Sequence, residues 1–190
     1  MKLTLSLLIF SFVVTAAFSQ EKLEREYRIR QSDVPSIAIQ FIQGSFGIAK
    51  IKWYGEENLT GKAIEAKTKL DGMLYSVKFD TSGALQDVEI VVDYNSLPEN
   101  TQAAITKQLA AHFSKFRIQK TQIQWLSSPE VLSALIKKES VQGKHVINYE
   151  ITLKGTKDGD TDYHEFLLSE NGEVLRKSKI IERNSHNLIY

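Results

Sequence analysis

The chain has 190 residues, 42% of them hydrophobic and 25% charged, with 24 Lys and Arg against 23 Asp and Glu and no cysteine. That balance belongs to a folded protein and not to a disordered one, and a net charge of +1 leaves no basic excess to neutralise nucleic-acid phosphates. Without cysteine, a disulfide scaffold, a CxxC redox pair, a thiolate metal site and a cysteine nucleophile are all excluded.

Residues 1–19 read as a secretory signal peptide. Lys2 supplies the positive start, Leu3 to Val14 the apolar run, and Ala17 and Ser19 the small residues before a cleavage site. The run is shorter than the roughly 20 residues a membrane-spanning helix needs. Cleavage after Ser19 is expected to leave a mature chain starting at Gln20, with no membrane span. No cysteine follows to carry a lipid, so the product is expected in the periplasm or outside the cell. The absence of disulfides favours a bacterial envelope.

Tyr27 and Ile29 alternate with charge and suggest a first strand. Val34, Ile37, Ala38, Phe41 and Ile42 then recur at helical spacing, with Ser32 or Asp33 as cap, Pro35 in the first turn and Gly44 as a stop. A strand with Trp53 follows. Tyr75, Val77 and Phe79 alternate with polar residues, Thr81-Ser82-Gly83 makes a turn, and Val88, Ile90, Val92 and Tyr94 continue the alternation. Ser96-Leu97-Pro98-Glu99 has the pattern of a capping box before a stripe of Ile105, Leu109, Phe113 and Phe116. A second tryptophan strand carries Trp125. A short helix near 129–138 is signalled by Ser127-Ser128-Pro129-Glu130 ahead of Val131, Leu132, Leu135 and Ile136. Ile147, Tyr149, Ile151 and Leu153, then Phe166 and Leu168, the Glu170-Asn171-Gly172 turn and a strand over Val174–Ile181 complete the chain.

Three landmarks recur in the same order: Val34-Pro35 with Leu97-Pro98, Trp53 with Trp125, and the Gly83 turn with the Gly172 turn. Self-similarity of this kind is read as a repeat. The expected organisation is therefore a signal peptide over 1–19, one repeat over 20–95 and a second over 96–190 with the short helix inserted. The expected fold is α+β: two tandem helix-plus-antiparallel-strand repeats, helices on one face of an antiparallel sheet and an open face opposite.

The Xaa-Pro helix starts, Tyr75–Leu85, Tyr149–Leu153 and the turn within Glu165–Leu175 together resemble the PepSY-like, β-lactamase-inhibitor-protein-like family of secreted bacterial envelope proteins. The resemblance spans about Tyr27 to Ile181. It implies tandem α+β repeats and a role in binding or inhibiting other proteins, and it supplies no catalytic residue.

Asp158, Asp160 and Asp162 have the spacing of the first ligands of a calcium loop, but Tyr163 stands where such a loop needs glycine and Ser169 where it needs glutamate. A solvated turn is expected, and no metal or other cofactor. His112, His145, His164 and His186 lack the spacing of a zinc site. The matching positions of Trp53 and Trp125, each in phase with an isoleucine, read as core anchors. The polar alternates would then present Lys50, Lys52, Tyr54, Lys78, Asp80, Glu89, Gln122, Gln124, Glu150 and Thr152. Of these, Lys50, Lys52, Tyr54, Lys78, Gln122, Gln124, Glu150 and Thr152 are the candidate binding residues for a protein or peptide partner in the envelope. The alternatives are a structural or regulatory protein that adds a peptide strand at a sheet edge, and a hydrolase.

Overall fold

The computed structural model describes residues 20–22, 24–58 and 61–181; residues 1–19, where a signal peptide is expected, His186 and the rest of the C-terminal tail lie outside the described residues. The elements run in the order β1 Gln20–Lys22, β2 Glu24–Arg28, α1 Ser36–Phe46, β3 Lys52–Asn58, β4 Gly61–Leu70, β5 Met73–Asp80, β6 Leu85–Val92, α2 Glu99–His112, β7 Lys115–Leu126, α3 Pro129–Lys137, β8 Val146–Lys157, β9 Asp160–Ser169 and β10 Val174–Ile180. Every expected helix is present, with altered ends. Gly44 lies inside α1, and the helix stops at Gly47, whose φ of 60° closes the last turn. Ser96 does not cap α2; its hydroxyl donates to the carbonyl of Asp93 in a preceding single turn.

All strands belong to one sheet in the order β1-β10-β9-β8-β7-β6-β5-β4-β3-β2. Neighbours are antiparallel except β1, which lies parallel to β10. The fold is therefore a single, mostly β structure, and the expectation of two tandem helix-plus-strand repeats is corrected. β6 pairs with β7 from Val88↔Trp125 to Val92↔Thr121, straight across the expected boundary at 95/96. The short helix α3 packs on α1, where Ser45 Oγ donates to Ser133 Oγ at 3.0 Å, and its Leu132 and Ile136 enter the core beneath α1. The core beneath α1 is thus completed by residues of the expected second repeat.

The strand order has a further consequence. β1 and β2 stand at opposite ends of it, yet Lys22 and Glu24 are two residues apart along the chain. Their Cα atoms cannot be more than about 7 Å apart. The two ends of the sheet must therefore meet, and the sheet curls into a ring closed by β1 on one side and β2 on the other. Following the Cα pairings from β2 round to β1 ends displaced by about fourteen residues, a stagger of the kind that tilts the strands of a closed barrel. The face opposite the helices is thus not an open face. It lines the inside of the ring.

The outer face carries the core. Under α1 and α3 lie Trp53, Ile64, Ala66, Tyr75, Val77, Phe79, Val88 and Ile90; under α2 lie Tyr149, Ile151, Leu153, Phe166 and Leu168. Val77, Phe79, Ile105, Leu109, Ile151 and Phe166 are fully buried. Trp53 is 4% exposed and stands 6.2 Å from the Phe79 ring, while Trp125 is only partly buried at the margin of the same cluster. In the expected α1 stripe, Ala38 and Ile42 face inward but Ile37 is 57% exposed. The two expected glycine turns tuck beneath the helices. A Cβ on Gly83 (φ 90°) would meet Ile37 and Pro35 at 2.5 and 2.7 Å, and one on Gly172 (φ 80°) would meet Ala104 at 2.7 Å.

Candidate functional site

Strand alternation puts every second residue on the inner face, and register aligns them in rows. One row runs Arg28, Tyr54, Glu65, Lys78, Asp87; the next runs Lys52, Lys67, Ser76, Glu89, Gln124, Asn148; a third runs Val91, Gln122, Glu150, Leu167, Arg176. In these rows polar residues predominate, and many are shut away from solvent. Glu56, Glu65, Gln122, Gln124, Asn148, Glu150, Thr152, Glu165 and Ser178 are all buried, Gln122 with 2% of its surface accessible. Buried polar groups need partners, and the ring supplies them by packing its own wall.

An amide ladder crosses the middle. Asn148 Nδ2 donates to Gln124 Oε1 at 3.0 Å, and Gln124 Nε2 donates to Asp87 Oδ2 at 3.1 Å. One step along, Gln122 Nε2 donates to Glu89 Oε2 at 2.8 Å. The cations sit around this ladder. Lys78 Nζ donates to Glu56 at 3.0 Å, Lys67 lies 3.1 Å from Glu65 and also holds Glu26, and Arg176 reaches Glu165 at 3.2 Å and Glu150 at 3.5 Å. Tyr54 is stacked between Arg28 and Lys67, each 5.0 Å from its ring centre, as cations favour the face of an aromatic ring.

Two acceptors in this network have no donor: Asp87 Oδ1 and Gln122 Oε1. The carboxyls beside them are hard to ionise. Burial raises Asp87 to about 6, with Glu150 and Glu65 adding to the rise and Lys78 opposing it. Burial raises Glu89 to about 7, and Asp87 adds to it. Glu56 is raised to about 8, by burial and then by a hydrogen bond with Glu24, while Lys78 opposes the rise. Lys78 itself is raised because Glu56, Glu24 and Glu89 outweigh its burial, so it stays charged. Asp87 and Glu89 nonetheless keep some accessible surface.

The candidate residues from sequence divide accordingly. Tyr54, Lys78, Gln122, Gln124, Glu150 and Thr152 come together on the inner face. Lys52 is exposed at the start of β3, and Lys50 precedes the strand in solvent, its carbonyl accepting from Thr68 Oγ1 at 3.1 Å. Asp80 is taken up by the hairpin, its Oδ1 accepting from the amides of Ser82 and Ala84. Sequence reasoning left Glu65, Asp87, Asn148 and Glu56 unassigned. Asparagine and carboxylates in mid-strand, where β-propensity disfavours them, were the available signal.

The other candidates lie elsewhere. Asp158 and Gly159, with φ of 54° and 92°, form a tight hairpin between β8 and β9, and Asp162 holds Lys179 at 2.6 Å. His112 Nδ1 lies 2.8 Å from the Gln108 carbonyl, with its ring edge-on to Phe166 at 5.2 Å. His164 packs on Phe113, and burial followed by Lys177 holds it below the usual imidazole range. Among the described residues, no three His, Asp or Glu side chains are placed to hold a metal ion.

No family model matches the chain, and no curated protein does. Among solved structures it is similar to a DUF2874 family protein from Bacteroides ovatus, with a TM-score of 0.50 and 12% identity over 77% of this chain and 87% of that one. It is also similar to a protein of Bacteroides eggerthii named for a proposed periplasmic location, with a TM-score of 0.46 and 18% identity over 77% of this chain and 88% of that one. At such identity the first likeness concerns the fold alone. No described helix is long and apolar enough to cross a membrane.

Proposed function

We propose that the chain is a non-enzymatic binding protein of the bacterial envelope that takes a peptide segment or protein partner at the polar inner face of its ring. The observation that carries this reading is the pair of acceptors, Asp87 Oδ1 and Gln122 Oε1, left without donors inside a wall where the amides of Gln124 and Gln122 are already fixed. A buried acceptor without a partner costs about 1–3 kcal/mol, a deficit that an incoming donor removes. Carboxyls held rigidly by amides are suited to recognition. The envelope address rests on the signal sequence. Edge addition is the weaker reading, because β10 and β3, the edges of the remaining sheet, are paired to β1 and β2.

Panning a random peptide library on the immobilised mature chain tests the proposal. Enriched peptides should bind the folded protein in solution and shift backbone resonances of β5, β6 and β7. A folded chain that enriches nothing above a blank surface, or whose enriched peptides shift only outer-face resonances, would overturn it.

A further inference from the structure

The inner wall also specifies the chemistry of what it binds, an inference that rests on the reading above. At the centre of the ring, three strands contribute acceptors: Asp87 and Glu89 from β6, Gln122 from its neighbour β7, and Glu65 from β4, across Lys78 of β5. Gln122 is 2% exposed. Its Nε2 is committed to Glu89 Oε2, which turns the amide toward the carboxyl cluster and leaves Oε1 without a donor. Asp87 repeats the pattern, with Oδ2 held by Gln124 and Oδ1 without a donor. The unmet groups are all acceptors. Lys78 is committed to Glu56, with its contacts there at 2.9 and 3.0 Å.

We propose that this cluster binds a primary alkylammonium group, whose N–H donors would satisfy Asp87 Oδ1 and Gln122 Oε1 while its charge meets Asp87 and Glu89. A primary ammonium carries three donors on a compact charge, which suits acceptors converging from separate strands. A metal ion suits the site poorly, since among the described residues no three His, Asp or Glu side chains converge as ligands would. Lys78 and Lys120 bear on Glu89, and Lys78 on Asp87 against Glu150 and Glu65, so the cluster is compensated only in part, and a neutral donor would bring no further charge to it. Burial makes Asp87 and Glu89 reluctant to ionise, so an arriving cation would displace protons held there, and binding should release protons near neutral pH. The ammonium could be the side chain of a lysine in a peptide partner or a free aliphatic amine. The cluster recognises the same group in both.

The test titrates the folded mature chain with 1,5-diaminopentane and, separately, with the blocked tripeptide acetyl-Gly-Lys-Gly-amide, by calorimetry in two buffers of different ionisation enthalpy and by backbone NMR. At least one probe should bind with proton release at pH 7, shift the resonances of Asp87, Glu89 and Gln122, and weaken about tenfold or more at pH 5. Binding should fall by a similar factor in Asp87→Asn and in Glu89→Gln, variants close in shape whose folding is checked by the same spectra. Pentan-1-ol and a trimethylammonium analogue, lacking the charge or the N–H donors, should bind far less. Binding of the peptide alone points to a lysine-bearing partner, and binding of the diamine alone to a free amine. Absence of binding by both probes at millimolar concentration to the folded chain would overturn the inference, as would binding indifferent to both substitutions. If library peptides still enriched on the inner face without a lysine, the binding reading would stand and the ammonium assignment alone would fall.

Discussion

The outer and inner faces of the ring are both largely withdrawn from water, and they are stabilised on opposite terms. Outside, helices cover Phe79, Val77, Ile151 and Phe166, where stability follows apolar area and tight packing. Inside, Glu56, Gln122, Gln124 and Glu150 are equally hidden without a helix above them, and each depends on hydrogen bonds and opposite charge. The same alternation of residues generates both faces. Each face keeps two buried atoms without a partner, Thr121 Oγ1 and His164 Nδ1 in phase with the apolar core and Asp87 Oδ1 and Gln122 Oε1 in the polar wall, but only the pair in the wall stands among carboxyls. The deficient positions in the wall are where a ligand can contribute.

The comparison breaks most visibly at the outer face. Phe79→Ala should cost about 3–5 kcal/mol in urea denaturation, whatever the pH, because it opens a cavity under α1. Trp53→Ala should behave alike, and Trp125→Ala should cost clearly less because that ring is only partly buried. Equal losses at the two tryptophans would contradict the packing. On the inner face, Lys78→Met should cost about 2–4 kcal/mol at pH 8 and less at pH 5, since carboxyls that lose their cation can take up protons instead. A loss independent of pH would mean that Lys78 acts only by packing.

The third expectation concerns wild type. Asp87 and Glu89 have folded-state pKa values raised to about 6 and about 7. Between the unfolded values near 4 and these, the folded chain holds protons that the unfolded chain has released, so stability should fall as pH rises from about 5 to 8. The change should be on the order of a few kcal/mol over the two groups, measured by denaturation at fixed salt, and flatter in Glu89→Gln. A stability that climbed over this interval would refute the burial of these groups. The smallest effect belongs to the β8–β9 turn. Asp162→Asn should lose only an exposed ion pair with Lys179, under about 1 kcal/mol, and a chelator should leave the melting temperature unchanged.

Much of the secondary structure was legible in the sequence because its signals are local. The Gly83 and Gly172 turns, the Pro129 helix start and the alternation of Tyr75, Val77 and Phe79 each declare themselves within ten residues. The closure of the ring was not legible. Gln20–Lys22 meets Ser178–Ile180 across nearly the whole chain, and three residues of parallel pairing carry no sequence signature. Alternation also shows only that Gln122, Gln124 and Glu150 oppose the core. A polar residue facing water and one facing a polar interior are written in the same letters, so an enclosed wall read as an open face. The repeated landmarks misled for a related reason: similar local motifs do not reveal that β6 and β7 join them into one sheet.

The split strand at residues 20–22 and 24–28 also sets an order of events. Its first half must wait for β10, the last of the described strands to be synthesised, while its second half can pair with β3 once residue 58 is available. Contacts between such distant segments bear the largest loop-closure entropy and form late. The chain should therefore assemble as a curved, unclosed sheet whose polar wall is still wet, and then be sealed by its own beginning. In hydrogen–deuterium exchange, amides of β1 and the end of β10 should open first, well before those of β5 and β8.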